Sequence, residues 1–136
     1  MSEEFFKMAG RLGACSLLKG DESEEELMRL LLTPRGTEFC TKCNFPPMGQ
    51  LQGFKGETAE SLGIYIDTDT ELTNPERVFL FGGKHVLHFD TIGRYNVTLM
   101  HGARVEIHAA NHAVVFIKDA GGEVTIVEKD DTALIL

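Results

Sequence analysis

The sequence predicts an α+β protein in which about three N-terminal helices precede a C-terminal β-repeat. Three observations carry this. Apolar spacing changes at Gly63 from steps of three and four to steps of two. From Val78 to Leu136, short apolar runs recur about every ten residues with turn residues between them. Between the two regimes, Pro46-Pro47 ends the last helical pattern, because proline removes a backbone donor and restricts the residue before it. At 136 residues the chain suits one cooperative unit, divided into a helical region over residues 1–62 and a β-repeat region over residues 63–136.

The elements follow in order. Phe5, Met8, Ala9, Leu12, Cys15 and Leu18 share one helical face and predict an amphipathic helix over Glu3 to Leu18, stopped at Gly20. Ser23 stands three residues before Glu26, the capping-box spacing, and Leu27, Leu30 and Leu31 form the stripe behind it. The glutamates of the first turn suit the helix dipole better than a cation site. Thr33-Pro34 opens a third helix that carries Phe39, Cys40 and Cys43 and ends at Asn44. The Gly-rich stretch from 48 to 63 reads as a connector with at most one helical turn near Thr58 to Leu62.

Beyond Gly63, Ile64-Tyr65-Ile66 alternates as a strand and Thr73-Asn74-Pro75 marks a turn. In the repeat, Leu87 and Phe89 recur as Val97 and Leu99, and Val105 and Ile107 as Val115 and Ile117. Gly82-Gly83, Gly102, Asn111, Gly121-Gly122 and Asp130-Asp131 punctuate the runs. A β-solenoid and an antiparallel meander or barrel both fit. The absence of an Asn-Gly or Asp-Gly pair tilts the choice towards the solenoid. Val105 to His108 alternates and implies one wet face, with His108 beside Glu106. Ala113 to Ile117 is apolar throughout, so both of its faces need cover, and Ala-Leu-Ile-Leu ends the chain as an exposed apolar edge. Val114, Phe116, Leu134 and Leu136 are therefore the expected interface residues, serving a homo-oligomer or a protein partner.

Composition narrows the function. A net charge of -8, with 21 acidic and 13 basic residues, supplies no cationic groove for nucleic acid and disfavours anionic membranes. No apolar run approaches the ~20 residues of a membrane span. The Met-Ser-Glu-Glu start lacks a basic and apolar leader, and three cysteines fit a reducing setting, so a cytoplasmic protein is expected.

Chemistry-bearing residues are few. Cys40 and Cys43 have redox or half-zinc spacing, but they close a helix, where the dipole opposes a thiolate. The histidines all lie in the β region, and His101, His108 and His112 are metal candidates if stacking brings them into one column. A structural or surface role is the simpler reading for each. No nucleophile elbow, phosphate loop or dinucleotide fingerprint occurs, so neither an enzyme nor a cofactor is expected.

One resemblance adds context. Glu25-Glu26-Leu27, Thr33 to Cys40, Asn44-Phe45-Pro46, Gly63 to Asp67 and Asn74-Pro75 stand in an order similar to a group of small uncharacterised gut-Bacteroidales proteins. Those proteins are often encoded near prophage or mobile-element genes. The resemblance covers most of the chain, leaves Cys43 outside its pattern, and implies a bacterial, mobile-element context with no activity to carry over. The expected function is a non-enzymatic protein-interaction or assembly module. The rival is a small-molecule or metal-binding protein using the His-bearing β face.

Overall fold

Helix α1 (Glu24–Leu32) starts where its sequence signal lies. The Glu26 backbone N–H donates to Ser23 Oγ at 3.2 Å, and the Ser23 N–H donates to Glu26 Oε1 at 3.4 Å. The computed structural model describes residue 7 and residues 23–136, so the helix expected over Glu3 to Leu18 lies outside the described residues. Thr33 ends α1 and caps α2 (Pro34–Cys43), its hydroxyl accepting from the Gly36 N–H at 3.1 Å. Asn44 closes α2 in the left-handed conformation, which Asn tolerates better than most residues. Leu27, Met28 and Leu31 form the buried face of α1, with Leu30 only half-buried.

The connector holds more helix than its glycines suggest. It forms α3 (Met48–Leu51), a 3-10 turn (Gln52–Phe54) and α4 (Glu57–Leu62). Burial of Leu51 and Phe54 in the helical core offsets the entropic cost of Gly49 and Gly53, about 1 kcal/mol each. Gly63 then ends α4 with φ near 95°, where an added Cβ would also meet the Arg77 carbonyl.

Nine strands follow: β1 (Ile64–Ile66), β2 (Thr70–Thr73), β3 (Arg77–Phe81), β4 (Lys84–Phe89), β5 (Gly93–Met100), β6 (Arg104–Ala109), β7 (Ala113–Ala120), β8 (Glu123–Lys129) and β9 (Leu134–Ile135). Odd-numbered strands make one sheet, β1-β3-β5-β7-β9, and even-numbered strands the other, β2-β4-β6-β8. Every pairing is parallel, so the antiparallel meander and the barrel do not hold. The corners explain why. Gly82-Gly83, His101-Gly102 and Asn111-His112 are consecutive positive-φ pairs that carry the chain across to the opposite sheet. The ten-residue rhythm is thus half of a larger step. Runs ten residues apart face each other across the interior, and runs about twenty apart stack, as Leu87 does beside Ile107.

Two cores result. Leu80, Leu87, Val97, Leu99, Ile107 and Val115 fill the space between the sheets. On the outer face of the odd sheet, Ile64, Phe79, Phe81 and Met100 pack with Leu27, Leu51 and the rest of the helical layer. A polar ladder ties one line of corners together. Asn74 Nδ2 donates to Asp90 Oδ1 at 2.7 Å, Asn111 Nδ2 to the Asp90 carbonyl at 2.7 Å, and the Asn111 N–H to Asp130 Oδ2 at 3.1 Å.

Candidate functional site

Parallel registry carries each outward residue of the even sheet beside its equivalent on the next strand. Three rows arise: Lys84–Arg104–Glu123, Glu71–Val86–Glu106–Thr125, and Thr73–His88–His108–Glu128. In the third, the His88 and His108 rings stack with centroids 4.7 Å apart. His88 Nε2–H donates to Glu71 Oε2 at 3.0 Å, and His108 Nδ1 lies 3.6 Å from Glu128 Oε2. A carboxylate thus stands at each end of the imidazole pair.

The expected metal candidates do not come together. His101 sits at a corner with φ near 57°, and its Nε2–H donates to the Pro46 carbonyl at 2.7 Å, tying the helical layer to the sheets. His112 is exposed at the opposite line of corners. Among the described residues, no group of three or more His, Cys, Asp or Glu is arranged to hold one ion. His88, absent from the sequence candidates, is the true neighbour of His108. Their twenty-residue separation is the signal that finds it once the larger step is known.

Cys40 and Cys43 are both free thiols. Burial, with Cys43 nearby as a second cause, pushes the Cys40 thiol up to about 12, which removes it as a ready thiolate ligand or nucleophile. His85 is also buried, facing the space between the sheets. Its Nε2–H donates to the Gly82 carbonyl at 2.8 Å, and its Nδ1 accepts from the Thr70 hydroxyl at 2.7 Å. Desolvation lowers its pKa below the usual 6.5, against the Gly82 hydrogen bond and Asp69, and favours the neutral ring.

The second candidate region is the end of the stack formed by β7, β8 and β9. Among the described residues no strand adds to β8, and β9 pairs with β7 only at Val114 and Val115. Val124 and Ile126 lie beside Val105 and Ile107 and so point towards the interior. Ile107 is fully buried, whereas Ile126 is 50% exposed. The inter-sheet core therefore runs out to this end uncovered. Phe116, Leu134 and Leu136 are exposed beside it, and Val114 is half-buried. Ile126 and Val127 join them although the sequence singled out neither. The helical layer lies over Phe79, Phe81 and Met100 and leaves Phe116 exposed, so the cover expected for the outer face of β7 is incomplete.

Comparison with family models, curated proteins and solved structures finds no match to this chain. Among the described residues, no helix is long and apolar enough to cross a membrane.

Proposed function

We propose that the protein is a non-enzymatic protein-interaction or assembly module, built as a short β-solenoid and acting through the open β8–β9 end of its stack. The carrying observation is the uncovered interior row, in which Ile126 continues the line of Leu87 and Ile107 with half its surface in water. An apolar row ending on an unpaired strand edge is the arrangement that a partner strand or a second copy completes. On the outer even face His88 bonds to Glu71, and Arg104 and His108 lie within ion-pair reach of Glu123 and Glu128, an arrangement that suits a scaffold. The resemblance to small gut-Bacteroidales proteins supports a bacterial, mobile-element or phage context for this module, and its three cysteines support the cytoplasm.

Blunting the open end tests this. The variant Ile126→Lys/Leu134→Lys changes two exposed positions, so its fold should survive. Cross-linking in a host extract and mass at rising concentration should show a complex or self-assembly for the wild type, lost in the variant. Equal behaviour of both proteins overturns the reading.

A metal- or small-molecule-binding protein is the second reading, favoured by the carboxylate-flanked His88–His108 stack. A carboxylate that orients an imidazole is a familiar outer partner of metal-bound histidine. Zinc or nickel should then raise the melting temperature of the wild type and not of His88→Ala/His108→Ala. No shift in either sinks it.

A further inference from the structure

The reading of the open end as an interaction surface leaves the partner unnamed, and the charges along β8 narrow it. We propose that β8 accepts an extended protein segment in which basic and apolar residues alternate, added as the next strand of the even sheet. This rests on the proposed interaction role and goes beyond it by naming the partner's chemistry.

Registry defines the surface on offer. The pairing of β6 with β8 shifts after Ile107, leaving Val127 as the extra residue of a bulge. Glu123, Thr125 and Glu128 therefore face outward beside Arg104, Glu106 and His108, while Val124 and Ile126 face the interior. The protein already shows what suits this pattern on its other side. Arg104 Nε lies 3.8 Å from Glu123, and His108 Nδ1 lies 3.6 Å from Glu128. A strand on the free side completes the same arrangement if its outward residues beside the glutamates are Lys or Arg and its inward residues are apolar.

The same rows argue against a second copy. Antiparallel self-pairing of β8 about Thr125, with Val127 bulged out of the ladder as it is against β6, sets Glu123 of each chain opposite Glu128 of the other. Head-to-tail stacking continues the rows with β2, bringing Asp69 and Glu71 beside Glu123 and Thr125. Asp69 stands next to Lys84 in that row, its Oδ1 accepting the Lys84 N–H at 2.9 Å. Like charges directly opposite each other across a sheet destabilise it. Both modes of self-association juxtapose acids, and a basic strand removes the conflict.

The probe is the blocked peptide Lys-Val-Thr-Ile-Lys-Val, compared with Glu-Val-Thr-Ile-Glu-Val on the whole chain. The basic peptide should slow amide exchange across Glu123 to Lys129 and bind at least about tenfold more tightly than the acidic one. Glu123→Lys/Glu128→Lys, at two exposed positions, should reverse that preference. Equal binding of the two peptides, or protection elsewhere on this acidic chain, overturns the proposal. If neither peptide binds while β8 amides exchange rapidly, strand addition by a basic segment fails and the open end stands. If β8 amides in the free protein exchange as slowly as those of β5, the open-end reading fails with it.

Discussion

At the scale of single residues, buried or tightly bonded groups set the pH and redox behaviour. His85 is held neutral by burial, with a folded pKa below 6.5. The unfolded chain therefore binds the extra proton as pH falls below 6.5, and stability drops from that point downwards. His85→Gln keeps hydrogen-bonding capacity without the titration. Its denaturation midpoint should vary less than that of the wild type as pH falls below 6.5, as urea titrations at successive pH values would show. Asp130 acts lower. Its carboxylate accepts from the Thr132 hydroxyl and from the Asn111, Thr132 and Ala133 N–H groups, which brings it down to about 2. Its contribution is present above 3.8 and is lost as pH falls through about 2. Asp130→Asn should flatten the acid limb of the stability profile in that window. For the thiols, Cys43 should react with an alkylating reagent in the native protein, while Cys40 reacts only on unfolding. Mass spectrometry of partially labelled protein checks the order. The Asp130 environment was legible, since Asp130-Asp131 reads from the sequence as a turn pair whose carboxylates cap backbone N–H groups. A CxxC spacing or a lone His does not state its burial, so His85 and the choice of Cys40 as the buried thiol were not.

At the scale of elements, Gly36 separates propensity from packing. Ala exceeds Gly as a helix former by about 1 kcal/mol, so Gly36→Ala should stabilise an isolated α2. In the fold, an added Cβ would lie 1.7 Å from the Leu30 carbonyl oxygen, and that oxygen belongs to backbone that cannot turn aside. Gly36→Ala should instead cost about 2 kcal/mol as overpacking, measured by denaturant unfolding. The glycine is the means by which α1 and α2 approach. Caps were more readable than contacts. Ser23 with Glu26, Thr33-Pro34 and Asn44 each sit where their local hydrogen-bonding chemistry put them. The connector was less readable, since Leu51 and Phe54 make helix there only because a core lies beneath them.

For the whole molecule, the two ends of the stack differ in cover, and local stability should follow. The central strands β3 and β5 are paired on both edges, and helices cover much of the outer face of their sheet. Among the described residues β8 is paired on one edge alone, and its interior row is half-exposed. Native-state hydrogen exchange should be slowest in β3 and β5 and fastest in β8 and β9, with opening energies falling towards the open end. Uniform protection along the stack would contradict this. The candidate interface was partly legible at this scale. Phe116, Leu134 and Leu136 stand out as apolar residues of the final runs and are exposed, but Ile126 does not stand out until β8 is seen to have no described strand beyond it in its sheet.

The sequence by itself determined the α+β class, the change of period at Gly63, three helix caps and the positions of the β corners. All of these are local, decided by residues within a turn or a strand of one another. Only the tertiary structure decided that the strands run parallel in two sheets, that His108 meets His88 rather than His101 or His112, and that the interior row emerges at Ile126. Those outcomes depend on which run stacks on which. An alternating strand offers the same faces to a partner ten or twenty residues away, and it is the positive-φ corners, acting together over the whole repeat, that choose between them.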